Sequence, residues 1–430
     1  MLQTAFAQRA RILSPVDIPP PSSWARHWDL DPGVVFLNHG SFGAAPRVVK
    51  LAQQLLRDRM EAEPVRFFVE DHRPLMDAAR DALARFIHCL PGDIAPVTNA
   101  TVGVATVLQN LADSGSLQPG DELLTNAHEY PACQNNLRRL AARTGAKVVC
   151  VDLPFPCPGP QSVIDAILAA VTPRTRLALI SHVTSPTGLV LPVEALVPAL
   201  SRLGVETLID GAHAPGMIEA LDLSALRPTY YTGNLHKWAC APKGSAFLYV
   251  SEDRRARAPF RPVVLSNNAE LPIPAREAFL TEFDFVGTAD YTPFQALPEA
   301  LHFMGGLLPG GWTDLMRQNR ALAIAGRDAL CRTLGVPPPA PPQLLGSLAT
   351  ICLPPLPPDV AARLAARPPK YGNPLQDALL ARWRIQVPVW GLAGQPYRIL
   401  RIAAQIYNTI EQYEYLARAL KEELSAELRA

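Results

Sequence analysis

Apolar and polar positions follow two periods along this chain, one typical of helices and one of buried strands. Apolar residues recur at helical spacing in 47–63 and in 73–87. Further on, short apolar runs are each followed by a helical stretch, as in AKVVCVDL then SVIDAILAAV, and RLALISHV then VEALVPALSRL. This rhythm predicts an α/β fold in which a mostly parallel sheet lies between helices.

The same patterns divide the chain into three regions. Residues 1–35, with PPPSSW near their centre, predict an N-terminal arm, and residues 36–292 carry the α/β rhythm of a large domain. Residues 293–430 hold helical stretches, two strand candidates (RIQVPVW and PYRILRIAA) and a last helix, which predict a smaller α+β domain. The proline-dense stretches between these elements predict loops, because proline stiffens loops and is excluded from central strands.

The charge balance and the apolar runs of the chain bear on which classes of partner it can bind. Forty basic and thirty-nine acidic residues give a formal net charge of +1, so no bulk field attracts nucleic acid or anionic lipid. No apolar run approaches the roughly 18 residues that a membrane span requires. We therefore expect a soluble protein that binds neither nucleic acid nor membrane, and that holds any anion at a local site.

The seven cysteines are scattered, odd in number and include no CxxC pair. This distribution argues against a disulfide framework and against a zinc site, so we predict no metal and a reducing, cytoplasmic environment. The opening stretch MLQTAFAQRARILSP has no continuous apolar core of signal-peptide length, which predicts a mature N-terminus.

The first chemical hypothesis rests on two residues, one at a predicted strand end and one in a loop of small residues. Asp210 ends the apolar run TLID, and Lys237 lies among small and apolar residues in GNLHKWACAP. A buried aspartate is costly unless a cation meets it, and desolvation lowers the pKa of a lysine until the amine is nucleophilic. Together they predict a site for pyridoxal 5'-phosphate (PLP), where a lysine forms the Schiff base and an aspartate keeps the pyridine nitrogen positive.

Several longer stretches resemble a known family. IDGAH and YYTGNLHKWACAPKGSAFLYV are similar to the core of class V aminotransferases within the fold-type I PLP enzymes. HWDLDPGVVFLNHGSFG, EPVRFF, SHVTSPTGLVLP and IYNT narrow the likeness to isopenicillin N epimerase and its relatives. The resemblance extends from about residue 26 to the C-terminus, and it implies the fold-type I PLP-dependent transferase fold with a smaller C-terminal domain.

The resemblance also implies the cofactor contacts. Lys237 matches the Schiff-base lysine, Asp210 the partner of the pyridinium nitrogen, and His213 a residue placed against the phenolic oxygen. A core histidine and a helix-capping threonine remain the ordinary alternatives for His213 and Thr101. The residues that match phosphate ligands are Ala100, Thr101, Val102, Asn234, His236 and Thr288, the last donated by the other subunit. A homodimer with shared active sites follows from that match.

The sequence offers two candidates for the residue that stacks on the cofactor ring, and one of them is also a candidate for the second proton-transfer group. His128 matches the imidazole that stacks on the cofactor in relatives, but Tyr130 lies two residues further on and is an alternative. Tyr130 is also a candidate acid or base on the face opposite Lys237.

Arg401 and a short N-terminal segment are the candidate substrate contacts. Arg401 matches the arginine that holds the substrate's α-carboxylate in cysteine desulfurases, and its fork of N–H donors suits a carboxylate. The ordinary alternative for one arginine on a strand is a solvated charge. Asn38, His39 and Phe42 either reach the substrate pocket, as in relatives, or stabilise the turn in which they lie.

The resemblance favours epimerisation or racemisation at the α-carbon of an amino acid or an amino-acid-containing peptide. A carbon–sulfur (β) lyase and an aminotransferase are the alternatives. Desulfuration through a cysteine nucleophile is disfavoured. Cysteine desulfurases carry that cysteine on a loop about 15 residues before the arginine that binds the carboxylate, and this chain has no cysteine after Cys352. A non-catalytic PLP-fold binding protein is disfavoured as well, because Lys237, Asp210, Thr101 and Arg401 are all present.

Overall fold

A computed structural model describes residues 18–392 and 394–429, so residues 1–17 of the predicted arm lie outside the described residues. The strands are β1 Val35–Phe36, β2 Ile94–Val97, β3 Glu122–Asn126, β4 Lys147–Val151, β5 Thr175–Ser181, β6 Glu206–Asp210, β7 Tyr230–Asn234, β8 Ala246–Val250, β9 Leu348–Cys352, β10 Ile385–Gln386, β11 Val389–Gly391 and β12 Arg398–Ala403. The α-helices are His39–Phe42, Arg47–Ala62, Pro64–Arg66, His72–Phe86, Ala100–Asp113, Pro131–Thr144, Pro160–Ala169, Val193–Arg202, Leu223–Leu226, Glu252–Arg257, Ala275–Asp284, Thr292–Gln295, Leu297–Gly305, Gly311–Leu334, Pro358–Ala365, Pro374–Trp383 and Ile410–Arg429. Among the described helices, none is both long enough and apolar enough to cross a bilayer.

A seven-stranded sheet lies at the centre of the described chain, in the order β2-β8-β7-β6-β5-β3-β4. From β7 to β4, each strand pairs in parallel with the next. β8 runs antiparallel to both of its neighbours, β7 and β2. The predicted α/β fold class with a mostly parallel sheet is confirmed.

Helices cover both faces of this sheet, as the alternation of side chains along β5 shows. Leu177 and Leu179 pack in one apolar cluster with residues of the helices Ala100–Asp113 and Pro131–Thr144. Ala178 and Ile180 belong to a second cluster that includes residues of the helix Val193–Arg202. Successive strand residues point to opposite faces, so a strand buried on both faces is apolar throughout.

The C-terminal elements form a smaller antiparallel sheet in the order β11-β12-β9. The N-terminal strand joins this part of the molecule, because β1 pairs in parallel with β10 and the Ala403 amide donates to the Leu37 carbonyl at 2.9 Å. Residues directly after β1 are thereby brought to the edge of the large sheet. The domain boundaries at residues 36 and 293 stay predictions.

The proline-dense stretch 353–369 differs from the expectation. We predicted a loop, and the structure has a helix at Pro358–Ala365. Pro357 precedes this helix and Pro358 occupies its first turn, where no intrahelical partner exists for a backbone N–H. The prediction was wrong because proline at a helix start is compatible with the helix that follows.

Candidate active site

The carboxyl ends of six strands meet at one edge of the large sheet. These strands run in the same direction, and the last residues of β2, β3, β4, β5, β6 and β7 are Val97, Asn126, Val151, Ser181, Asp210 and Asn234. Ligands bind at this edge in parallel sheets, because the loops and helix N-termini that follow the strands collect there. Most of the predicted site residues lie on these loops.

Asp210 is a buried carboxyl with no cationic hydrogen-bond partner among the described residues. Its side chain is 3% exposed, accepts from the Ala212 amide at 2.9 Å and accepts from the Cys133 thiol at 3.3 Å. Burial raises the pKa of Asp210 above its ordinary value, partly offset by these donors. A positive group arriving at this carboxyl would remove the cost of its desolvation.

A second buried carboxyl, Glu129, lies beside Asp210. Ligand atoms of Glu129, Cys133 and Asp210 lie within 4.8 Å of one another, close enough to share a cation. Glu129 accepts from the Ser181 hydroxyl and from the Tyr130 amide, both at 2.8 Å. Burial, and then the charge of Asp210, raise the pKa of Glu129 well above its usual range. Two adjacent buried carboxyls cannot both be ionised without a cation, and a protonated pyridine nitrogen supplies one.

Lys237 lies in the loop after β7. Its Nζ is 3.2 Å from Nε2 of His213. Burial and then the charge of Arg401 lower the pKa of Lys237 to about 8, against the opposing effect of Asp210. About a tenth of this amine is therefore unprotonated at pH 7, far more than for an ordinary lysine, and the free amine is the form that a nucleophile requires.

The N-terminal segment after β1 holds the backbone of this loop. Gly43 adopts φ +67°, and a Cβ there would lie 1.9 Å from the His236 carbonyl oxygen, so only glycine fits. His39 is fully buried, with Nδ1 2.8 Å from the Tyr407 hydroxyl and Nε2 3.0 Å from the Lys237 carbonyl oxygen. Both ring nitrogens of His39 are thus engaged, which favours a role in positioning Lys237 over contact with substrate.

The predicted phosphate turn is the N-terminus of the helix Ala100–Asp113. The Ala100 amide donates to Asn234 Oδ1 at 2.8 Å, and the Val102 amide to Asn99 Oδ1 at 2.9 Å. In the described chain no hydrogen bond outside the helix involves the Thr101 amide or hydroxyl, so both remain for an anion. The geometry therefore brings two predicted ligands, Ala100 and Asn234, into contact with each other.

His236 is the remaining predicted phosphate ligand of this turn. Its Nδ1 lies 3.1 Å from the Ser245 carbonyl oxygen, and this oxygen can only accept, so Nδ1 carries the proton. Burial and the charge of Lys237 lower the pKa of His236 to about 4, although the Ser245 carbonyl opposes the shift. Nε2 of the neutral ring then presents a lone pair, and it becomes a donor only when the ring is protonated.

The structure separates His128 from Tyr130. His128 is buried, lies 3.2 Å from the Thr187 hydroxyl through Nδ1 and has its ring edge-to-face with Phe155 at 5.7 Å. Burial lowers the pKa of His128 to about 4, so its ring is neutral. Tyr130 is 43% exposed. The fixed, neutral ring of His128 favours it over Tyr130 as the stacking group.

Arg401 on β12 is a buried guanidinium without an acidic partner among the described residues. It is 2% exposed, donates to the Ser185 carbonyl and to the Ser41 hydroxyl, and lies over the Trp390 ring at 5.1 Å. Its Nε has no hydrogen-bond partner in the described chain. Asn38 supports the group indirectly, because Asn38 Oδ1 accepts from Ser41 at 2.6 Å. Such a cation requires an anion from outside the chain.

Two predicted residues are not brought into this cluster. Thr288 lies exposed in the loop between the helices Ala275–Asp284 and Thr292–Gln295, without a hydrogen bond to another predicted site residue in the described chain. Phe42 ends its short helix with 76% of its surface exposed.

Sequence reasoning missed several residues of the site, among them Glu129, Cys133, Ser41 and Trp238. Glu129 had a usable signal, since it is an acidic residue directly after a buried strand end. The other three act through side-chain directions in loops and at a helix start, which no periodicity reveals.

The comparisons with known proteins agree with this geometry. Residues 34–270 match the family model described as aminotransferase class-V. The chain belongs to this family. It is 37% identical over 408 residues to isopenicillin N epimerase of Amycolatopsis lactamdurans, covering 91% of this chain and 96% of that protein. It is 28% identical to a probable chloroplastic L-cysteine desulfhydrase of Arabidopsis thaliana, covering 96% of this chain and 88% of that protein.

Solved structures agree on the fold of this class-V chain. The cystine C–S lyase C-DES, in complex with its product cysteine persulfide, superposes with a TM-score of 0.70 at 22% identity, covering 90% of this chain and 97% of that chain. A mutant of C-DES has glycine covalently linked to its PLP cofactor and superposes with a TM-score of 0.69, at 22% identity over 90% of this chain and 96% of that chain. The fold-type I architecture is thereby confirmed.

PLP is the cofactor of this class-V enzyme, and the residues present fit it. An amine of lowered pKa suits its aldehyde, a buried carboxyl without a cation suits its pyridinium, and free donors at a helix N-terminus suit its phosphate.

Proposed function

We propose that this class-V enzyme acts at the α-carbon of an amino acid or of a peptide that carries one, and that it epimerises that centre. The observation that carries the proposal is the buried Arg401, which has no acidic hydrogen-bond partner in the described chain and is close enough to lower the pKa of Lys237. A cation left unpaired beside a nucleophilic amine suits the carboxylate of an amino acid. The similarity to isopenicillin N epimerase of Amycolatopsis lactamdurans supports the choice of reaction.

The substrate's α-carboxylate binds Arg401 in this proposal. Ser41 and Ser185 hold two of its guanidinium nitrogens, and Trp390 covers its face. These contacts fix the plane of the fork before substrate arrives, so less side-chain entropy is lost on binding. Asn38 takes part through Ser41, and Phe42 contacts the substrate's side chain at the exposed rim.

Lys237 attaches the cofactor and later moves the α-proton. When bound, PLP supplies an aldehyde for the lysine and an electron-accepting ring that acidifies the α-carbon. Asp210 would hold the ring nitrogen and His213 the phenolic oxygen, and His128 would cover the ring face. Thr101, Ala100, Val102, Asn234 and His236 would hold the phosphate. Nζ of Lys237 would take the α-proton of the substrate as a base of lowered pKa.

Epimerisation needs a second group that returns a proton from the opposite face, and we assign this role to Tyr130. The competing histidines are engaged, His39 by Tyr407 and the Lys237 carbonyl, and His128 by Thr187. The Tyr130 hydroxyl makes no hydrogen bond in the described chain and is accessible to a substrate. It is therefore the residue free to exchange a proton at the α-carbon.

We further propose a homodimer with shared active sites. Phe42, Val102 and Tyr130 leave apolar surface exposed around the site, and Thr288 lies on an exposed loop away from the site residues of its own chain. A second copy that covers this rim would bring its Thr288 to the phosphate turn. The seven free cysteines support a cytoplasmic location.

Incubation with candidate amino acids in deuterated water tests the reaction. Epimerisation predicts α-deuterium incorporation together with inversion, and Y130F should lose inversion while keeping exchange in the retained configuration. Pyruvate released from a cysteine conjugate without inversion would contradict the proposal. Formation of an oxo acid from the amino acid would instead indicate transamination.

The second candidate function is a carbon–sulfur lyase. The similarity to a probable L-cysteine desulfhydrase over 96% of this chain favours it. A lyase needs only one base, so Y130F should then leave the turnover of cysteine largely unchanged. The same substrate screen separates the two, because a lyase releases pyruvate and an epimerase conserves every atom of its substrate.

A further inference from the structure

Trp238, the residue after the proposed attachment lysine, makes a hydrogen bond that bears on His213. The Trp238 indole Nε1 lies 3.2 Å from His213 Nδ1, and Lys237 Nζ lies 3.2 Å from His213 Nε2. The imidazole is thus held at both nitrogens, by one neighbour that can only donate and one whose role depends on its protonation.

The chemistry of these groups fixes where the proton of His213 resides. An indole N–H donates and never accepts, so His213 Nδ1 must be the acceptor. A neutral imidazole with a lone pair on Nδ1 carries its proton on Nε2. The ring is neutral, because burial, the largest cause, and the charge of Arg401 lower the pKa of His213 far below its usual range. His213 Nε2–H therefore points at Lys237.

This arrangement requires a free amine at Lys237. An ammonium Nζ has no lone pair, so it would place its own hydrogens against the His213 Nε2–H. The 3.2 Å separation is a hydrogen bond only when Lys237 is unprotonated and accepts. A hydrogen bond donated by His213 to the free amine of Lys237 agrees with the lowered pKa of Lys237.

The indole is held rigidly enough to select one tautomer. Trp238 is 1% exposed and packs with Val183, Met217, Leu348 and Ala403. Its ring also lies 5.0 Å from the His39 ring. A Cβ on Gly40 would come within 3.4 Å of the indole, so a glycine in the N-terminal segment leaves room for it.

We propose that Trp238 is a positioning residue that fixes the tautomer of His213, so that His213 Nε2–H donates to the free amine of Lys237 and then, with PLP bound, to the cofactor's phenolic oxygen. The inference rests on the proposed function in taking Lys237 as the attachment residue and His213 as the partner of that oxygen. Trp238 touches neither substrate nor cofactor in this role. It acts through His213.

Nitrogen NMR of the holoenzyme labelled with [15N]histidine tests the tautomer, with the His213 signals assigned by their loss in H213Q. We expect a protonated Nε2 and an unprotonated Nδ1 in the wild type, and a mixture of tautomers in W238F. Trp238→Phe keeps the aromatic packing and removes only the N–H. A wild-type spectrum with the proton on Nδ1 would overturn the proposal whatever the W238F spectrum shows.

A pH titration of the cofactor's absorption spectrum supplies the second readout. A donor to the phenolic oxygen stabilises its ionised form, so its loss should raise the pKa of the lysine-bound chromophore by about one unit in W238F, roughly the effect of one hydrogen bond to a charged group. W312F is the matched control, because its indole donates to the Leu301 carbonyl at 3.0 Å away from the site. Equal pKa values in W238F and W312F would overturn the proposal. In an H213Q background, W238F should give no further shift.

The failure of the proposed function is distinguishable from the failure of this inference. Borohydride reduction and peptide mapping of the same samples show whether the cofactor is bound to Lys237. A label on another lysine would contradict the proposed function, whereas the nitrogen spectrum still decides whether Trp238 sets the His213 tautomer.

Discussion

Two buried regions of this protein differ in whether their charged side chains are paired with each other. In the first, Arg80 and Asp284 pair with each other, and Arg80 donates as well to Asp77 and to the Ile94 carbonyl. In the second, at the carboxyl edge of the sheet, the hydrogen-bond partners of Asp210 and of Arg401 within the described residues are all uncharged. A closed ion pair contributes to the fold. Unpaired buried charges destabilise the fold, and they are available to bind a ligand of opposite charge.

Asp210→Asn should give the largest effect on function with little or no loss of stability. The amide still accepts from Ala212 but cannot hold a ring nitrogen positive, so kcat/KM should fall about 10²–10³-fold. The free energy of unfolding of the cofactor-free protein should stay or rise, because one of two adjacent buried carboxyls is removed. Steady-state kinetics and urea unfolding measure both, and a large loss of stability would contradict the contrast.

Asp284→Asn should give the reverse pattern. It leaves the buried Arg80 guanidinium without its carboxylate, which should lower the free energy of unfolding by about 3 kcal/mol. PLP content and the absorption spectrum of the folded variant should be unchanged, since Asp284 lies outside the site. A loss of kcat/KM as large as that predicted for D210N would contradict the contrast between the two regions.

Arg401→Lys should weaken substrate binding by about 10- to 30-fold. Lysine keeps the charge but loses the planar fork that matches a carboxylate. KM for the amino acid should rise, while the spectrum of the bound cofactor stays the same. If KM were unchanged and kcat fell instead, Arg401 would not be the carboxylate partner.

The smallest expected effect is a pH dependence of phosphate binding through His236. Its pKa is about 4 without an anion, and Nε2 donates only when the ring is protonated, so binding raises this pKa and takes up a proton. Affinity for inorganic phosphate, relative to that of H236Q, should therefore be constant below about pH 4 and fall as pH rises above it, by at most about tenfold per unit. Calorimetry at about pH 6 and pH 8 measures this ratio, and a ratio that rises with pH would contradict it.

The parts of the site that sequence could predict are those carried by local pattern. The strand that ends at Asp210 could be predicted, because burial on both faces of a sheet requires a continuous apolar run. The small residues around Lys237 could be recognised directly in the sequence. The helix Pro358–Ala365 was missed because proline was taken only as a breaker. The hydrogen bond from Trp238 to His213 depends on how two loops meet in space, and no spacing along the chain contains it.

The most direct test of this account is the site of cofactor attachment. The purified enzyme, reduced with borohydride and digested, should carry the reduced cofactor on the peptide that contains Lys237, and K237A should carry none. The nearby lysine at 243, whose Nζ donates to the Gly43 carbonyl, provides a control, because K243M should remain labelled. A label on a different lysine, or persistent covalent cofactor in K237A, would contradict the account.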